Sequence, residues 1–537
     1  MSQNIRSLCS RQGIEHSLLT ALEAAAAADG TPSAEDLRRL ATNHRLSPAA
    51  VLGTASFYDF LAPRHRGKRG YVCSGTACLL AGRQGEARQH LREALADAEI
   101  GEMACLGRCY HGGAFQLDGR QLDAADLDEA GSGADTIPFR SAAPQSVFAS
   151  PAPDPVADYG AALRPPAAIL ADLQASRLRG RGGAGFPFGR KLAACSEAAG
   201  DVKYVVCNAD EGDPGAFSDR WLLETQPHRV LAGMLAAGIA VGAATGVLYV
   251  RAEYPGAGAR VREAIDAFHA SEAARQAGFR FHLVRGAGSY VCGEETALLN
   301  SIEGLRPEVR VRPPYPAQHG LFGQPTLVSN VETFACQPWI LRHGGAAFAA
   351  LGTTESTGTK LVCLDHHFRR PGVYEVAMGL PLDDLLNDLG GGFRVPVKAL
   401  QIGGPLGGVV PVDRTGQLSL DFESFARAGF LLGHASVVAI PTDFPMRAFL
   451  AHLFEFASNE SCGKCFPCRL GTRRGHEQLR SATPEQPIDA EAFADLLETL
   501  ELGSLCALGG GLPLPVRNVL KHFADELRPL FRGEATA

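Results

Sequence analysis

Hydrophobic and polar positions change period several times along this chain, and the changes mark its elements. Residues 14–60 read as short helices. Thr31-Pro32 and Ser47-Pro48 each place a capping hydroxyl before a proline at a first helical position. Gly70–Cys73 reads as a short strand entering a loop, Leu79 to about Leu95 as helix, and Ala114–Leu117 as a strand closed by the turn Asp118-Gly119. Between 131 and 166, Pro138, Pro144, Pro151, Pro153, Pro155, Pro165 and Pro166 stand among Ser, Ala and Gly, the composition of a linker. Helical spacing returns at Met446, Phe449, Leu450, Leu453, Phe454 and Ala457, and again at Val516, Val519, Leu520, Phe523 and Leu527. The expected division is a helical segment with a compact α/β unit over 1–130, a Pro-rich linker over 131–166, a large α/β region over 167–345, a smaller strand-rich piece over 346–435, and a helical region over 436–537.

Val230 to Val250 has no charged residue and is long enough to cross a bilayer. It is mostly Ala and Gly. With Gly246 as a helix stop and Val247–Val250 as a strand, it reads as a buried helix and strand. The start has no apolar run of the kind a secretory signal needs, so no export is expected. Across 537 residues, 46% are hydrophobic and 20% charged, which excludes global disorder. A net charge of −7 argues against a nucleic-acid partner. Fourteen unevenly spaced cysteines are too few for a disulfide scaffold and point to a cytoplasmic protein with metal or redox sites.

Eight of those cysteines fall into two sets. Cys73, Cys78, Cys105 and Cys109 form C-x4-C and C-x3-C pairs that suit a [2Fe–2S] cluster, with Gly75 and Gly107 allowing close backbone approach. Cys462, Cys465 and Cys468 form C-x2-C-x2-C, and Cys506 is the only later cysteine, a pattern for one [4Fe–4S] cluster. Zinc is the alternative occupant of each. Cys9, Cys195, Cys207, Cys292, Cys336 and Cys363 lack paired spacing and read as small hydrophobes. Gly180, Gly182 and Gly185 make a formal G-x-G-x-x-G, but the stretch before it has helical spacing, so this is not a dinucleotide fingerprint. Flanked by Arg179, Arg181, Arg190 and Lys191, the loop suits an anion. Two further loops, 208–215 and 286–296, combine glycine, an aromatic or amide, and carboxylates. Such groups can hydrogen-bond a flavin edge or accept ribose hydroxyls; alone, such a loop is more often a solvated turn than a site, and beside a phosphate loop the balance turns over.

Together these motifs resemble the NADH-binding flavoprotein subunit of respiratory complex I and its relatives. The resemblance rests on Leu-Arg-Gly-Arg-Gly-Gly-Ala-Gly-Phe-Pro, Cys-Asn-Ala-Asp-Glu, Val-Cys-Gly-Glu-Glu-Thr-Ala-Leu, Ser-Asn-Val-Glu-Thr and Glu-Ser-Cys-Gly-Lys-Cys, and covers about 165 to 537. The first 130 residues resemble the thioredoxin-like [2Fe–2S] partner subunit, so the chain looks like a fusion of the two. Asn-Ala-Asp-Glu-Gly-Asp, Gly-Gly-Pro-Leu-Gly at 403–407 and Ser-Leu-Cys-Ala-Leu-Gly-Gly at 504–510 are most similar to the diaphorase subunit of NAD-dependent molybdenum or tungsten formate dehydrogenases, with the NAD-reducing hydrogenase diaphorase close behind.

The resemblance implies a multidomain α/β fold with four parts: a thioredoxin-like ferredoxin domain, an FMN-binding α/β domain, a ubiquitin-like β-grasp domain and a C-terminal helical bundle. It implies FMN on Gly182, Gly183, Gly185 and Lys191. Asn208, Asp210, Tyr290, Gly293, Glu294 and Asn330 would surround the flavin, with Phe186, Glu211, Asp213 and Glu295 on the nicotinamide-nucleotide side. Asp213 stands where complex I proteins usually have Glu, Arg312 and Tyr315 where relatives often have Lys and Phe, Leu192 where many have Trp, and Tyr110-His-Gly-Gly where an Ala-Pro turn is common. The implied chemistry is hydride transfer between NAD(H) and FMN, then single-electron steps through the clusters. Hydride transfer needs no side-chain acid or base, so no catalytic residue is expected. The chain holds no further set of paired cysteines, so a partner subunit must oxidise the other substrate: a large molybdenum- or tungsten-pterin subunit acting on formate, or a hydrogenase module. A complex I subunit and a non-catalytic cluster scaffold are the other readings.

Overall fold

The computed structural model describes residues 13–14, 17–27, 30–124, 136–149 and 154–533. Cys9 and positions 131–135 and 150–153 of the expected linker lie outside the described residues. Helices Leu18–Ala26, Ala34–Asn43 and Pro48–Ala55 are the first α-helices among the described residues. Ser47 caps the third, accepting from Ala50 N, with Pro48 in the first turn. The expected cap at Thr31-Pro32 is corrected. The second helix starts two residues further on, where Ser33 and Asp36 close a reciprocal capping box and satisfy two otherwise bare N–H groups.

The first sheet has the order β2-β1-β3-β4, formed by β1 (Gly70–Cys73), β2 (Ile100–Met103), β3 (Ala114–Leu117) and β4 (Arg120–Asp123). β1 and β2 are parallel and the other pairs antiparallel. Asp118 and Gly119 both have positive φ, the geometry of a tight hairpin turn. The helix expected over 79–95 is two helices, Thr76–Ala81 and Gln84–Ala94, because Gly82 takes a left-handed φ of 70° between them.

The 131–166 stretch is more than a linker. Phe139–Ser141 forms β5, which pairs parallel with a strand of the third sheet, and Pro155–Ala162 is a helix capped by Asp154. The central sheet is wholly parallel, with order β8-β7-β6-β9 from β6 (Tyr204–Ala209), β7 (Thr245–Val250), β8 (Arg280–Arg285) and β9 (Thr326–Asn330). Its two inner strands, β6 and β7, are buried on both faces, as parallel strands covered by helices must be. Helix Pro227–Val241 covers one face and ends at Gly242 (φ 78°); Gly246 lies inside β7, which corrects the expected stop. Among the described residues no helix is long and apolar enough to cross a membrane.

The third sheet comprises β10 (Thr359–Leu364), β11 (Gly372–Ala377), β12 (Val397–Ile402), β13 (Gly408–Pro411) and β14 (Ser436–Pro441), in the order β13-β12-β14-β10-β11 with β5 on the edge. The C-terminal region packs helices Met446–Asn459, Phe466–Ser481, Ala490–Gly503 and Pro513–His522. Phe523 leaves helical geometry, so the last apolar repeat spans two helices rather than one.

Candidate functional site

In the central sheet the chain moves outward from β6 through β7 to β8, then returns to the other side of β6 as β9. Ligand crevices form where strand order reverses, outside the carboxyl ends of the strands. Asn208 and Asn330 are register partners at that point. The helix expected before the glycine loop is present at Pro166–Ala175, so a nucleotide-binding βαβ unit is absent there.

The loop itself folds back through Gly180 N to Phe186 O (2.8 Å) and through Arg181 N to Thr333 Oγ1 (2.9 Å). Gly183 and Gly185 have φ of 122° and 59°, and a Cβ at Gly182 would stand 2.9 Å from Asn330 Cβ. These positions require glycine, one for space and two for conformation. Gly182 and Phe186 are exposed, so the loop is open to a ligand. Lys191 donates to Glu295 (3.0 Å) and to the Val328 carbonyl (3.1 Å), and Arg312 reaches the other Glu295 oxygen at 3.0 Å.

The two acidic loops meet across the same crevice. Asn208 donates to Gly293 O at 2.7 Å, and its own oxygen accepts from Asp210 N at 3.2 Å. Tyr290 donates to Asp213 at 2.7 Å. Burial is the leading cause that pushes the Asp213 carboxyl above its ordinary range. Glu294 caps helix Glu295–Ile302 by accepting from Thr296 N and Ala297 N, which leaves its second oxygen buried without a hydrogen-bond partner. Glu211, from the first acidic loop, reaches the start of the next helix. Its carboxylate is buried and accepts from Asp219 N (2.9 Å) and Arg220 N (3.0 Å), capping helix Ser218–Thr225 from a distance.

Cys73, Cys78, Cys105 and Cys109 converge, all buried. Hydrogen bonds with Cys109 and Cys73 draw the Cys105 thiol well down, while the same bonding network holds Cys73 and Cys109 up. Gly107 N donates to Cys105 Sγ at 3.4 Å. A Cβ at Gly75 would stand 2.3 Å from Ala104 O, so the two cysteine loops touch through that glycine. Gly215 N, from the first acidic loop, donates to Cys109 Sγ at 3.2 Å and seats this thiol set against the crevice.

The second set gathers around the start of helix Phe466–Ser481. Ser461 Oγ lies 3.3 Å from Cys468 Sγ, and a Cβ at Gly509 would stand 2.8 Å from Cys468 Cβ, which brings the 504–510 turn carrying Cys506 onto the triplet. Burial lifts the Cys468 thiol to about 11 and that of Cys506 to about 12. Tyr290 N donates to Glu460 at 2.8 Å, tying this region to the second acidic loop. Cys195, Cys207, Cys292, Cys336 and Cys363 are buried, in keeping with a packing role.

Several groups here carried no sequence signal. Asp219, Arg251 and His434 reach the crevice from other elements, and none belongs to a quoted motif. The glycine at 433 with positive φ, next to His434, marks only a turn.

A reversing parallel sheet, an open glycine loop and two thiol sets tied to one crevice define the class: a flavoprotein that carries iron–sulfur clusters. Three family models agree. Residues 173–338 match the Nuo51 FMN-binding domain, 448–529 the NADH-ubiquinone oxidoreductase-F iron–sulfur binding region, and 6–131 the thioredoxin-like [2Fe–2S] ferredoxin. An NADH-quinone oxidoreductase subunit of Rhizobium meliloti is 42% identical over 67% of this chain and 88% of its own length. NADP-reducing hydrogenase subunit HndC of Solidesulfovibrio fructosivorans is 41% identical over 67% of this chain and 75% of its own. A chain of the NAD+-reducing [NiFe]-hydrogenase in its H2-reduced state superposes with a TM-score of 0.84 at 32% identity, covering 96% of this chain and 94% of that one. The chain belongs to the family of complex I flavoprotein-type subunits, here fused to a thioredoxin-like [2Fe–2S] domain. Its cofactors are FMN, one [2Fe–2S] cluster and one [4Fe–4S] cluster.

Proposed function

We propose that this chain is the diaphorase subunit of a larger cytoplasmic oxidoreductase, exchanging hydride with NAD(H) and single electrons with a partner subunit. The observation that carries the reading is the placement of both thiol sets against one crevice, through Gly215 N to Cys109 and Tyr290 N to Glu460. FMN, when bound, would supply the conversion between the two electrons of a nicotinamide and the single electrons of a cluster, which is why all three groups belong together.

The residues fit that group. Gly182, Gly183 and Gly185 leave room that side chains would fill, and Lys191 offers a cation beside them. Asn208, Asp210, Tyr290, Gly293, Glu294 and Asn330 surround the flavin position at the sheet's switch point. Phe186, half exposed, Glu211, Asp213 and Glu295 belong to the nucleotide side, with the Glu211 carboxylate also steadied by Asp219 N. Glu295 would accept ribose hydroxyls and repel a 2′-phosphate, favouring NAD over NADP. Cys73, Cys78, Cys105 and Cys109 hold the [2Fe–2S] cluster; Cys462, Cys465, Cys468 and Cys506 hold the [4Fe–4S] cluster. The strand order β13-β12-β14-β10-β11 supports a ubiquitin-like scaffold for about 346–435, with an FMN-domain boundary near 345 and the helical cluster domain from about 436.

For the partner, the 208–213, 403–407 and 504–510 motifs favour a molybdenum- or tungsten-pterin subunit oxidising formate. The second reading, a hydrogenase module, is favoured by the end-to-end match with the hydrogenase chain, which includes the fused N-terminal domain. Anaerobic purification with flavin extraction, NADH:viologen and NADPH:viologen assays, and identification of the co-purifying large subunit test both levels. A protein with its iron but neither flavin nor NADH activity refutes the diaphorase; NADH activity with a nickel-containing partner refutes formate.

A further inference from the structure

His434 sits on the turn that enters β14, between Gly433 (φ 55°) and Ala435 (φ 65°). The turn is wedged between two loops. A Cβ at Gly433 would stand 2.8 Å from Gly403 Cα, and one at Gly183 would stand 3.7 Å from His434 N. The His434 backbone therefore lies against the glycine loop, while its ring points beneath the crevice. Nε2 is 3.5 Å from Glu211 Oε1 and 3.8 Å from Asp219 Oδ2, too long for good hydrogen bonds but within ion-pair range. The ring is buried, and neither nitrogen has a hydrogen-bond partner.

Asp219 Oδ2 also accepts from Asn330 Nδ2 at 2.6 Å. Asn330 in turn caps helix Val331–Ala335 with its own oxygen and presents Cβ to Gly182. A chain of contacts thus runs from His434 through Asp219 and Asn330 to the glycine loop. The other cations near this pair are committed elsewhere: Lys360 to Glu332, and Arg251 to Glu253 and to the Glu211 carbonyl. Two buried carboxylates need compensating charge, and a buried charge without a partner costs several kcal/mol. A divalent cation could also bridge Glu211, Asp219 and His434, whose ligand atoms lie within 4.8 Å of one another.

We propose that His434 is a positioning residue for the flavin: its imidazolium is the buried counter-ion of Asp219 and Glu211, and through Asp219 it fixes the Asn330 amide against Gly182. This rests on the assignment of Asn330 and the glycine loop to FMN. The charge state agrees. Burial works against the imidazolium, but the nearness of Asp219 and the charge of Glu211 lift His434 to about 9. The charged groups that face it are Glu211, Asp213 and Asp219 from the first acidic loop and its helix, and Lys360 from β10.

The test is FMN rebinding to flavin-depleted protein, followed by quenching of flavin fluorescence, for wild type, His434→Gln, Asn330→Ala and the double variant. His434→Gln should weaken FMN binding about tenfold while the electron paramagnetic resonance signals of both reduced clusters persist. The double variant should bind no more weakly than Asn330→Ala, because both changes break one chain of contacts. Wild-type affinity should fall as pH rises through about 9, where the imidazolium loses its proton, and this limb should be absent in His434→Gln. Should His434→Gln fail to fold, the wild-type limb alone decides, and its absence refutes the counter-ion. Additive losses in the double variant refute the positioning role. One equivalent of a non-iron divalent metal in wild type, lost in His434→Gln, overturns the counter-ion in favour of a metal site. Wild type that binds no FMN at all is a different failure and falls on the proposed function.

Discussion

Lys360 and Glu332 form an ion pair that is almost wholly out of water, with side chains 1% and 0% exposed. The pair joins helix Val331–Ala335, which follows β9 in the FMN-binding region, to β10 of the third sheet. Glu332 takes Lys360 on one oxygen and Leu361 N (2.9 Å) on the other; Lys360 also donates to Leu361 O at 2.9 Å. Lys360→Met keeps most of the buried volume and strands the carboxylate with one N–H donor. Removing one partner of a buried pair costs about 3–5 kcal/mol. At roughly 2–4 °C per kcal/mol for a region of this size, the thermal midpoint should fall by about 6–20 °C. Glu332→Gln in the same chain removes the stranded charge while keeping an acceptor for Leu361 N, so the double variant should recover much of the loss. Near-ultraviolet circular dichroism on heating, run on all four proteins, gives the cycle. A midpoint within about 2 °C of wild type for Lys360→Met, or a double variant no better than Lys360→Met, refutes the reasoning that stranded charge sets the cost.

Other predictions follow from the site. Cys73→Ser should abolish the [2Fe–2S] resonance and spare the [4Fe–4S] one, and Cys506→Ser should do the reverse; loss of both signals in either variant would contradict separate ligand sets. Gly182→Val must push against Asn330, since even a Cβ would stand 2.9 Å from Asn330 Cβ. It should yield protein with its iron but little flavin, and normal flavin content would refute the cradle. Glu295→Gln should raise NADPH relative to NADH oxidation roughly tenfold, about 1.4 kcal/mol, read as the ratio of kcat/KM values; an unchanged ratio removes Glu295 from specificity. Burial holds His65 down at about 4, so it stays neutral in the fold while the unfolded chain protonates near 6.5. Its contribution, on the order of 2–3 kcal/mol, is present above pH 6.5 and lost as pH falls toward 4. His65→Leu should flatten that acid limb in denaturant titrations.

The legible parts of this molecule share one property: their chemistry is local in sequence. Cys462, Cys465 and Cys468 lie within two turns of chain, and Ser47-Pro48 caps a helix with its own neighbours, so spacing alone carries the signal. Asp118-Gly119 was legible for the same reason. Misread features depended on choices between nearby equals or on distant partners. Gly242 and Gly246 both stand near the end of an apolar helix, and only the pairing of β7 with β6 and β8 decides which one stops it. Phe139–Ser141 looks like linker because prolines flank it, yet β11 offers an open edge that it completes. His434 was invisible, because its partners lie more than 200 residues away.

The fused N-terminal domain gains its meaning from how it is seated. A domain joined only by a proline-rich segment would sample many orientations, and electron exchange would then wait on encounter. Here the cysteine loops of that domain are held by the crevice itself. Gly215 N donates to Cys109 Sγ (3.2 Å), Arg251 donates to Cys105 O (2.9 Å), Arg220 donates to Gly107 O (3.1 Å), and Gln121 donates to Glu253 O. His366 N, in the turn after β10, donates to Cys109 O at 3.0 Å. Arg251 and Arg220 are buried, and each also serves the first acidic loop or its helix: Arg251 donates to the Glu211 carbonyl and Arg220 N to the Glu211 carboxylate. The residues that shape the crevice are therefore the same residues that fix the cysteine loops of the N-terminal domain. A change that loosens Arg251 should disturb both at once, which a tethered, independent ferredoxin domain would not do.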